Sequence, residues 1–386
     1  MFVNGENVND LPKKDQLYEL IRANPFISQQ ELADQLRLSR SAVAGHIASL
    51  IRDRRLLGRA YVLPGARPIA CIGAANIDRK LRPEAPLVMG TSNPARQHES
   101  FGGVARNIAE NLARLGAPVS LTTAIGDDAS GRALLADAEA AGIDISGAVK
   151  VAGACSGTYT AVLDAAGEMV VALADMALYD LLTPAFMASR RRASAALTVA
   201  DLNLPADTVA ALLAEARGDA ATLVLVAVSQ PKMTRLPQDL HGLRLLILNE
   251  GELAARAGAP VDTDGALAAA CAALQAQGAR DVIVTRGSGG VCFTSGGSVR
   301  QLAAAPAQIV DVTGAGDAFA AAVCWSLFQG DDDLELACRR GLKLSAMTLA
   351  CDRTVCPTLD ADSLLDAGAA DTAADAPQPF NALYQE

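Results

Sequence analysis

The segment Asp311-Val312-Thr313-Gly314-Ala315-Gly316-Asp317-Ala318-Phe319 joins a glycine-rich turn to a helix of small residues, Ala318 to Phe328. The first N–H groups of a helix have no intrahelical partner, and the helix dipole adds partial positive charge there. Gly314, Ala315 and Gly316 would therefore form an anion hole. Asp317 stands in the same turn and could take a proton from an attacking hydroxyl. A base and a charge stabiliser in one motif suit phosphoryl transfer, a reaction driven by positioning and electrostatics. Taken alone, a GxGD segment fits an ordinary turn with a capping aspartate equally well.

Context narrows the choice. A second glycine motif, Gly102-Gly103-Val104-Ala105-Arg106-Asn107-Ile108-Ala109, lies far upstream. In this order, GGVARNIA and DVTGAGDAF resemble the two signatures of the PfkB/ribokinase carbohydrate kinases, over about Ile69 to Leu359. The resemblance implies Asp317 as base and residues 314 to 316 as the charge stabiliser. Asn249-Glu250-Gly251-Glu252 is similar to the family's NxxE element, whose carboxylate acts on Mg2+ and phosphate through water, and magnesium prefers to keep such waters. Thr285-Arg286-Gly287 is similar to the nucleotide-phosphate turn, where Gly287, Gly289 and Gly290 allow close backbone approach. ATP would then bind between residues 249 and 346. Asp311 and Thr313 match positions that hold a monovalent cation in potassium-activated relatives, which makes K+ a further candidate. No GxxxxGK[ST] sequence occurs, so a P-loop ATPase is disfavoured.

For the acceptor, the resemblance points to Gly73-Ala-Ala-Asn76-Ile-Asp78 after the first strand. Asp78 would accept hydrogen bonds from two sugar hydroxyls, with Asn76 beside it. Asn107 would bind a further hydroxyl, and Gly102 and Gly103 would give the sugar room. The other reading of Asp78 is an exposed turn aspartate. Within the family, Thr91-Ser-Asn-Pro94, GTYTAVLD from Gly157, ADLNL from Ala200 and VSQPKMTRL from Val228 are most similar to pseudouridine kinases. Those enzymes phosphorylate the ribose 5′-hydroxyl of a C-nucleoside. Ala227 departs from the pattern, which has an acidic residue and a proline ahead of Val228-Ser229. Kinases for inosine, guanosine or a ribose-like sugar stay open, as does a nucleoside-sensing regulator built on a kinase fold. Thr158, Tyr159 and Asn203 are candidates for base selectivity.

Positioning these groups requires a sheet. Short apolar runs at 69–73, 119–125, 196–200, 222–228, 244–248 and 281–285 alternate with helical stretches. That alternation predicts a parallel sheet covered on both faces, with ligands gathering beyond the carboxyl ends of its strands. The fold expected is a three-layer α/β/α ribokinase-like domain over 69–360, with a small β-sheet lid from segments near 79–98 and 156–174 that excludes water. Residues 361–386, rich in Ala and Asp, read as a loosely ordered tail.

Ahead of this domain, Leu17, Leu20 and Ile21 recur at helical spacing until Asn24-Pro25. Ser28-Gln-Gln-Glu31 is a capping box that opens a second helix to about residue 36. Ser39 caps a third, with Val43, Ile47, Leu50 and Ile51 on one face, and Leu56 to Leu63 reads as a hairpin. The order resembles a winged helix-turn-helix over residues 1–63, joined by a turn-rich linker at 64–68, with Ser39 to His46 facing the major groove. Residues 11–62 carry nine Lys/Arg against five Asp/Glu, whereas the 386-residue chain has a net charge of -10. Arg40, Arg52 or Arg59 would contact DNA phosphates. The alternative use of such a module is dimerisation or regulation. A homodimer is expected.

No leader pattern and no apolar run long enough for a bilayer is found, so a soluble, cytoplasmic protein is expected. The eight cysteines are scattered without a CxxC pair and read as reduced packing residues, Cys351 and Cys356 alone leaving room for redox chemistry.

Overall fold

The computed structural model describes residues 2–3, 6–7, 11–23, 27–56, 67–164, 168–189, 195–218 and 222–365. The chain divides into two units, Met1–Arg67 and Pro68–Glu386.

The first unit holds the strand pair β1 (Phe2–Val3) and β2 (Glu6–Asn7) and the helices α1 (Lys13–Ala23), α2 (Gln29–Leu36) and α3 (Arg40–Arg52). Ser28 and Glu31 form the capping box that opens α2, and Ser39 accepts from Ala42 N to open α3. Leu17, Ile21, Leu32, Leu36, Val43, Ile47, Leu50 and Leu56 pack together as a core of their own. The expected hairpin and most of the linker lie outside the described residues.

The second unit begins with β3 (Ile69–Ile72), β4 (Asn76–Pro83), β5 (Ala95–Gly102), α4 (Val104–Arg114), β6 (Val119–Thr122), β7 (Ala124–Gly126), α5 (Ala129–Ala140) and β8 (Val149–Val151). It continues through β9 (Thr158–Leu163), β10 (Met169–Asp175), α6 (Pro184–Ser189), β11 (Leu197–Asp201), α7 (Ala206–Gly218), β12 (Thr222–Val226) and β13 (Leu243–Asn249). Then follow α8 (Glu250–Ala257), α9 (Asp264–Ala276), β14 (Asp281–Thr285), β15 (Val291–Ser295), β16 (Ser298–Leu302), α10 (Ala315–Phe328), α11 (Leu334–Leu349) and α12 (Asp362–Leu365).

Eight strands form the main sheet in the order β16-β15-β14-β13-β12-β11-β3-β6. The six from β14 to β6 are parallel, and β15 and β16 add an antiparallel edge. Alternation along the strands splits the core in two. Val224, Val226, Leu245, Ile247 and Ile283 face one apolar layer, and Leu223, Leu225, Leu246, Leu248, Val282 and Val284 face the other. Strands apolar on both faces are what a parallel sheet between two helical layers demands. The helix α10 is buried along most of its length, and its run of alanines lets it pack closely beneath the sheet.

The lid is a separate four-stranded sheet, β10-β9-β4-β5, assembled from the two segments read as lid in the sequence. The C-terminal expectation starts too early: residues 362–365 form α12, and Leu364 is fully buried in the main core. Residues 366–386 lie outside the described set. No helix among the described residues is long and apolar enough to cross a membrane.

Candidate active site

The acceptor side is built where β3 ends and the chain turns through Gly73 into the first lid strand. Asn76 and Asp78 are two residues apart on β4, hence on one face of it, and both are buried. Asn76 Nδ2 donates to Asp78 Oδ1 at 2.7 Å. Gly102 lies opposite Asn76 in the antiparallel pair, and a Cβ there would sit 2.1 Å from Asp78 Oδ2. The carboxylate thus occupies the space a side chain at 102 would need. Gly103 precedes α4 with φ 99°, and a Cβ on it would meet Ala74 O at 2.5 Å. One turn into α4, Asn107 Nδ2 donates to Asp317 Oδ2 at 2.8 Å, joining the acceptor side to the start of α10.

Burial pushes the Asp78 carboxyl up to about 6, opposed by the Asn76 hydrogen bond and by Lys80 and Arg106. Burial likewise pushes Asp317 up to about 7. The Asn107 hydrogen bond opposes this rise, and the charges of Asp78 and Asp201 add to it. A base that titrates near neutral pH matches what proton abstraction from a hydroxyl needs.

Sequence reasoning missed the group that organises this turn. Asp201, the last residue of β11, accepts hydrogen bonds from Ala74 N (2.9 Å), Ala105 N (3.0 Å) and Asn203 N (2.8 Å). It pins the turn after β3 to the start of α4, and a Cβ on Gly73 would clash with its carboxylate at 2.3 Å. Tyr179 Oη donates to Ala75 O at 2.5 Å and accepts from Ala75 N at 3.2 Å, holding the same turn from its other side. An acidic residue at the carboxyl end of a buried strand was the signal available. Of the base-selectivity candidates, Asn203 is buried, with Oδ1 taken up by the Lys232 ammonium. Thr158 opens β9 beside Ile77, and Tyr159 pairs in register with Asp78.

The donor side uses backbone more than side chains. Gly314 precedes α10 with φ 85°, and no side chain caps the helix; Ala315 N makes a long hydrogen bond to Val312 O at 3.5 Å. A Cβ on Gly314 would meet Thr354 O at 2.1 Å, whereas Gly316 has open space where its Cβ would be. Thr285 ends β14 and leads into Gly287 to Gly290. Gly287 has φ 54° with nothing near its missing side chain, and Gly290 packs against Leu302 O at 2.0 Å from where its Cβ would stand. Gly289 N donates to Arg286 O at 2.9 Å and Gly290 N to Gly287 O at 3.1 Å, so the turn is closed on itself and open only beside Gly287.

Asn249 and Glu252 form a reciprocal capping box at α8: Asn249 N donates to Glu252 Oε2 at 2.8 Å and Glu252 N to Asn249 Oδ1 at 2.9 Å. Burial raises the Glu252 carboxyl above its usual range, opposed by the Asn249 amide. No group of three or more His, Cys, Asp or Glu side chains is arranged to hold a metal among the described residues. Glu252 is the carboxylate there that would act on Mg2+ carried by nucleotide phosphates, through water.

Asp311 and Thr313 do not fit a free monovalent cation. The Lys80 ammonium, reaching from the lid, pairs with Asp311 Oδ2 and donates to Thr313 Oγ1 at 2.8 Å. Burial would raise the Asp311 carboxyl, but hydrogen bonds from Lys80 and Thr313 hold it below its ordinary value. The cavity of about 670 Å3 lined by Phe101, Arg106, Glu110 and Asp137 contains none of Asn76, Asp78, Asn107, Glu252, Thr285 and Asp317, and Arg106 is paired there with Glu110 and Asp137.

Residues 66–359 match the pfkB family carbohydrate kinases, and residues 14–54 match a winged helix-turn-helix DNA-binding family. The chain belongs to the pfkB family and is a sugar or nucleoside kinase that uses ATP. It is 32% identical to the uncharacterized sugar kinase YeiI of Escherichia coli over 92% of this chain and 98% of that protein. It is 30% identical to the pseudouridine kinase of the same organism, over 75% of this chain and 93% of that one. Among solved structures, Arabidopsis thaliana ribokinase complexed with ribose and ATP superposes with a TM-score of 0.69 at 22% identity, covering 78% of this chain and 99% of that one.

Proposed function

We propose that the protein transfers the γ-phosphoryl group of Mg-ATP to the 5′-hydroxyl of a nucleoside, with pseudouridine as the preferred acceptor. The observation that carries this reading is the Asn107–Asp317 hydrogen bond, which brings the base into the same cluster as Asp78. Asp78 and Asn76 would receive the sugar hydroxyls, and Asn107 would hold both a hydroxyl and the base. Asp317 would take the proton from the attacking oxygen as the O–P bond forms. The amides of residues 314 to 316, which no side chain caps, would stabilise the charge on the transferring phosphoryl group. Magnesium, when bound with ATP, would neutralise phosphate charge, and Thr285, Gly287 and Gly290 would line the nucleotide phosphates.

Support for the nucleoside comes from the similarity to pseudouridine kinase and from the contact of buried Asn203 with half-buried Lys232, a polar pair close behind Asp201 that would read a base edge. The test is ADP release with Mg-ATP across pseudouridine, uridine, inosine, guanosine and ribose, with Asp317→Ala run in parallel. Selective turnover of pseudouridine, lost in the variant, is expected. Selectivity for a purine nucleoside or for ribose would keep the mechanism and overturn the substrate.

A second activity is carried by the first unit. Arg37, Arg40 and Arg54 are exposed and make no ion pair among the described residues, and α3 also exposes Ser41, Ala44 and Gly45. We read α3 as a DNA recognition helix, with Arg52 adding phosphate contact; Arg59 lies outside the described residues. Salt-dependent binding to duplex DNA that weakens in Arg40→Ala is expected in a mobility-shift titration. Binding that ignores salt and the substitution would assign the unit to protein contacts.

A further inference from the structure

Lys80 sits two residues beyond Asp78 on the lid strand β4, yet its ammonium ends in the loop that leads into α10. There it pairs with Asp311 Oδ2 and donates to Thr313 Oγ1 at 2.8 Å. The other carboxylate oxygen, Asp311 Oδ1, accepts from Thr313 N at 2.9 Å and from Thr313 Oγ1 at 2.7 Å. Both oxygens are thus engaged, and the pair is about three-quarters shielded from solvent, with side-chain exposures of 26% for Lys80 and 24% for Asp311. A carboxylate and a hydroxyl converging on one small cation are the donor chemistry of an alkali-metal site, except that here the chain supplies the cation. A second positive ion at the same oxygens would be repelled at contact distance.

We infer that Lys80 is a built-in cation: its ammonium takes the place of a monovalent ion at Asp311 and Thr313 and positions the loop ahead of Asp317. The physical reason lies in the order of charges along that loop. Asp311 stands three residues before Gly314, so an uncompensated carboxylate would weaken the positive field that the amides of 314 to 316 offer to a phosphoryl group. The ammonium cancels that charge. Because Lys80 and Asp78 share one lid strand, the cancellation accompanies acceptor capture at Asp78, where a freely diffusing ion would act independently of it. Lys80 touches no reacting atom and is a positioning residue.

The inference deepens the kinase reading above, and its test uses the full chain with Mg-ATP in two salts, potassium chloride and N-methylglucamine chloride. Wild-type turnover should be the same in both. Lys80→Ala should lose about ten- to a hundredfold in kcat in the organic salt, as expected for a largely shielded carboxylate left unpaired, and recover most of it in potassium or with added methylammonium. Lys80→Met, which refills the space with an apolar stem, should not recover. Independently of turnover, potassium should raise the thermal midpoint of Lys80→Ala and leave that of the wild type unchanged. Activation or thermal stabilisation of the wild type by potassium would overturn the inference, as would a Lys80→Ala variant whose loss and melting are indifferent to potassium. If the wild type phosphorylates no acceptor, the kinase reading fails, and the melting comparison still decides whether Lys80 stands in for an ion.

Discussion

The two halves of the proposed active site are made of different materials. On the proposed acceptor side we assign recognition to side chains: Asp78, Asn76 and Asn107 are buried and bonded to partners, and Asp201 locks the backbone around them. To the donor side we assign main-chain groups, at the start of α10, which no side chain caps, and at Gly287, where the missing side chain leaves open space. The division follows from the ligands. A sugar offers neutral hydroxyls whose geometry must be read, and a carboxylate does that well. A polyphosphate offers charge that any acidic side chain would repel, and uncapped amides at a helix start meet it without adding bulk. Asp317 stands at the seam, belonging to the α10 start by sequence and to the acceptor side by its bond to Asn107.

If the comparison is right, the largest effect comes from the residue at the seam. Asp317→Ala should lower kcat by about a thousandfold or more, the usual contribution of a positioned base, while leaving nucleoside affinity nearly intact because Asp78 and Asn76 remain. Isothermal titration of the variant with nucleoside, beside its steady-state rate, checks both halves. Equal losses in kcat and in affinity would mean that Asp317 belongs to acceptor recognition instead.

Next in size are the glycines, which separate the two sides by mechanism. Gly314→Ala forces a side chain into Thr354 O at 2.1 Å from a backbone with φ 85°, so it strains the donor side. We expect a loss of stability of about 1–3 kcal/mol together with a raised KM for ATP, measured by thermal unfolding and kinetics. Gly102→Ala pushes on the Asp78 carboxylate and should raise KM for the nucleoside. If both variants raised the same KM, the division into two sides would be broken.

Legibility in the sequence follows the same line. The parallel strands were readable because both of their faces are buried, so their apolar runs are continuous, and the two glycine motifs were readable because a missing Cβ is a local property. The antiparallel edge β15–β16 went unnoticed although Gly296-Gly297, both at positive φ, mark its two-residue turn. Asp201, Tyr179 and Lys80 could not be assigned, since each acts on a segment far away in the chain: Asp201 on Ala74 and Ala105, Tyr179 on Ala75, Lys80 on Asp311. The ADLNL segment marks Asn203 as a candidate base reader, but its engagement by Lys232, 29 residues away in the chain, is a property of the fold. The tail was placed too early because Leu364, a single apolar residue among small and acidic ones, carries no periodicity that would announce its burial.

The smallest effect is also the sharpest test of the seam, and it is a pH dependence. Phosphoryl acceptance needs Asp78 and Asp317 ionised, so kcat/KM should rise with pH through about 6 and about 7 and then level off. The Asn107 hydrogen bond favours the ionised form of Asp317; removing it in Asn107→Ala should move the upper part of this limb to higher pH by about one unit. Asn76→Ala acts on Asp78 and should move the lower part instead. Stability carries the complementary sign. The folded-state pKa of Asp317 lies above its ordinary value of 3.8, so its favourable contribution is complete below that value and is lost as pH rises through about 7. Asp317→Asn should therefore melt higher than the wild type above neutral pH, by about 1–2 kcal/mol for a carboxylate that still faces the cleft, and should match it in acid. A wild-type protein whose melting temperature is flat from mildly acidic to mildly alkaline pH would show that Asp317 is solvated like a surface residue, and would remove the seam from the comparison.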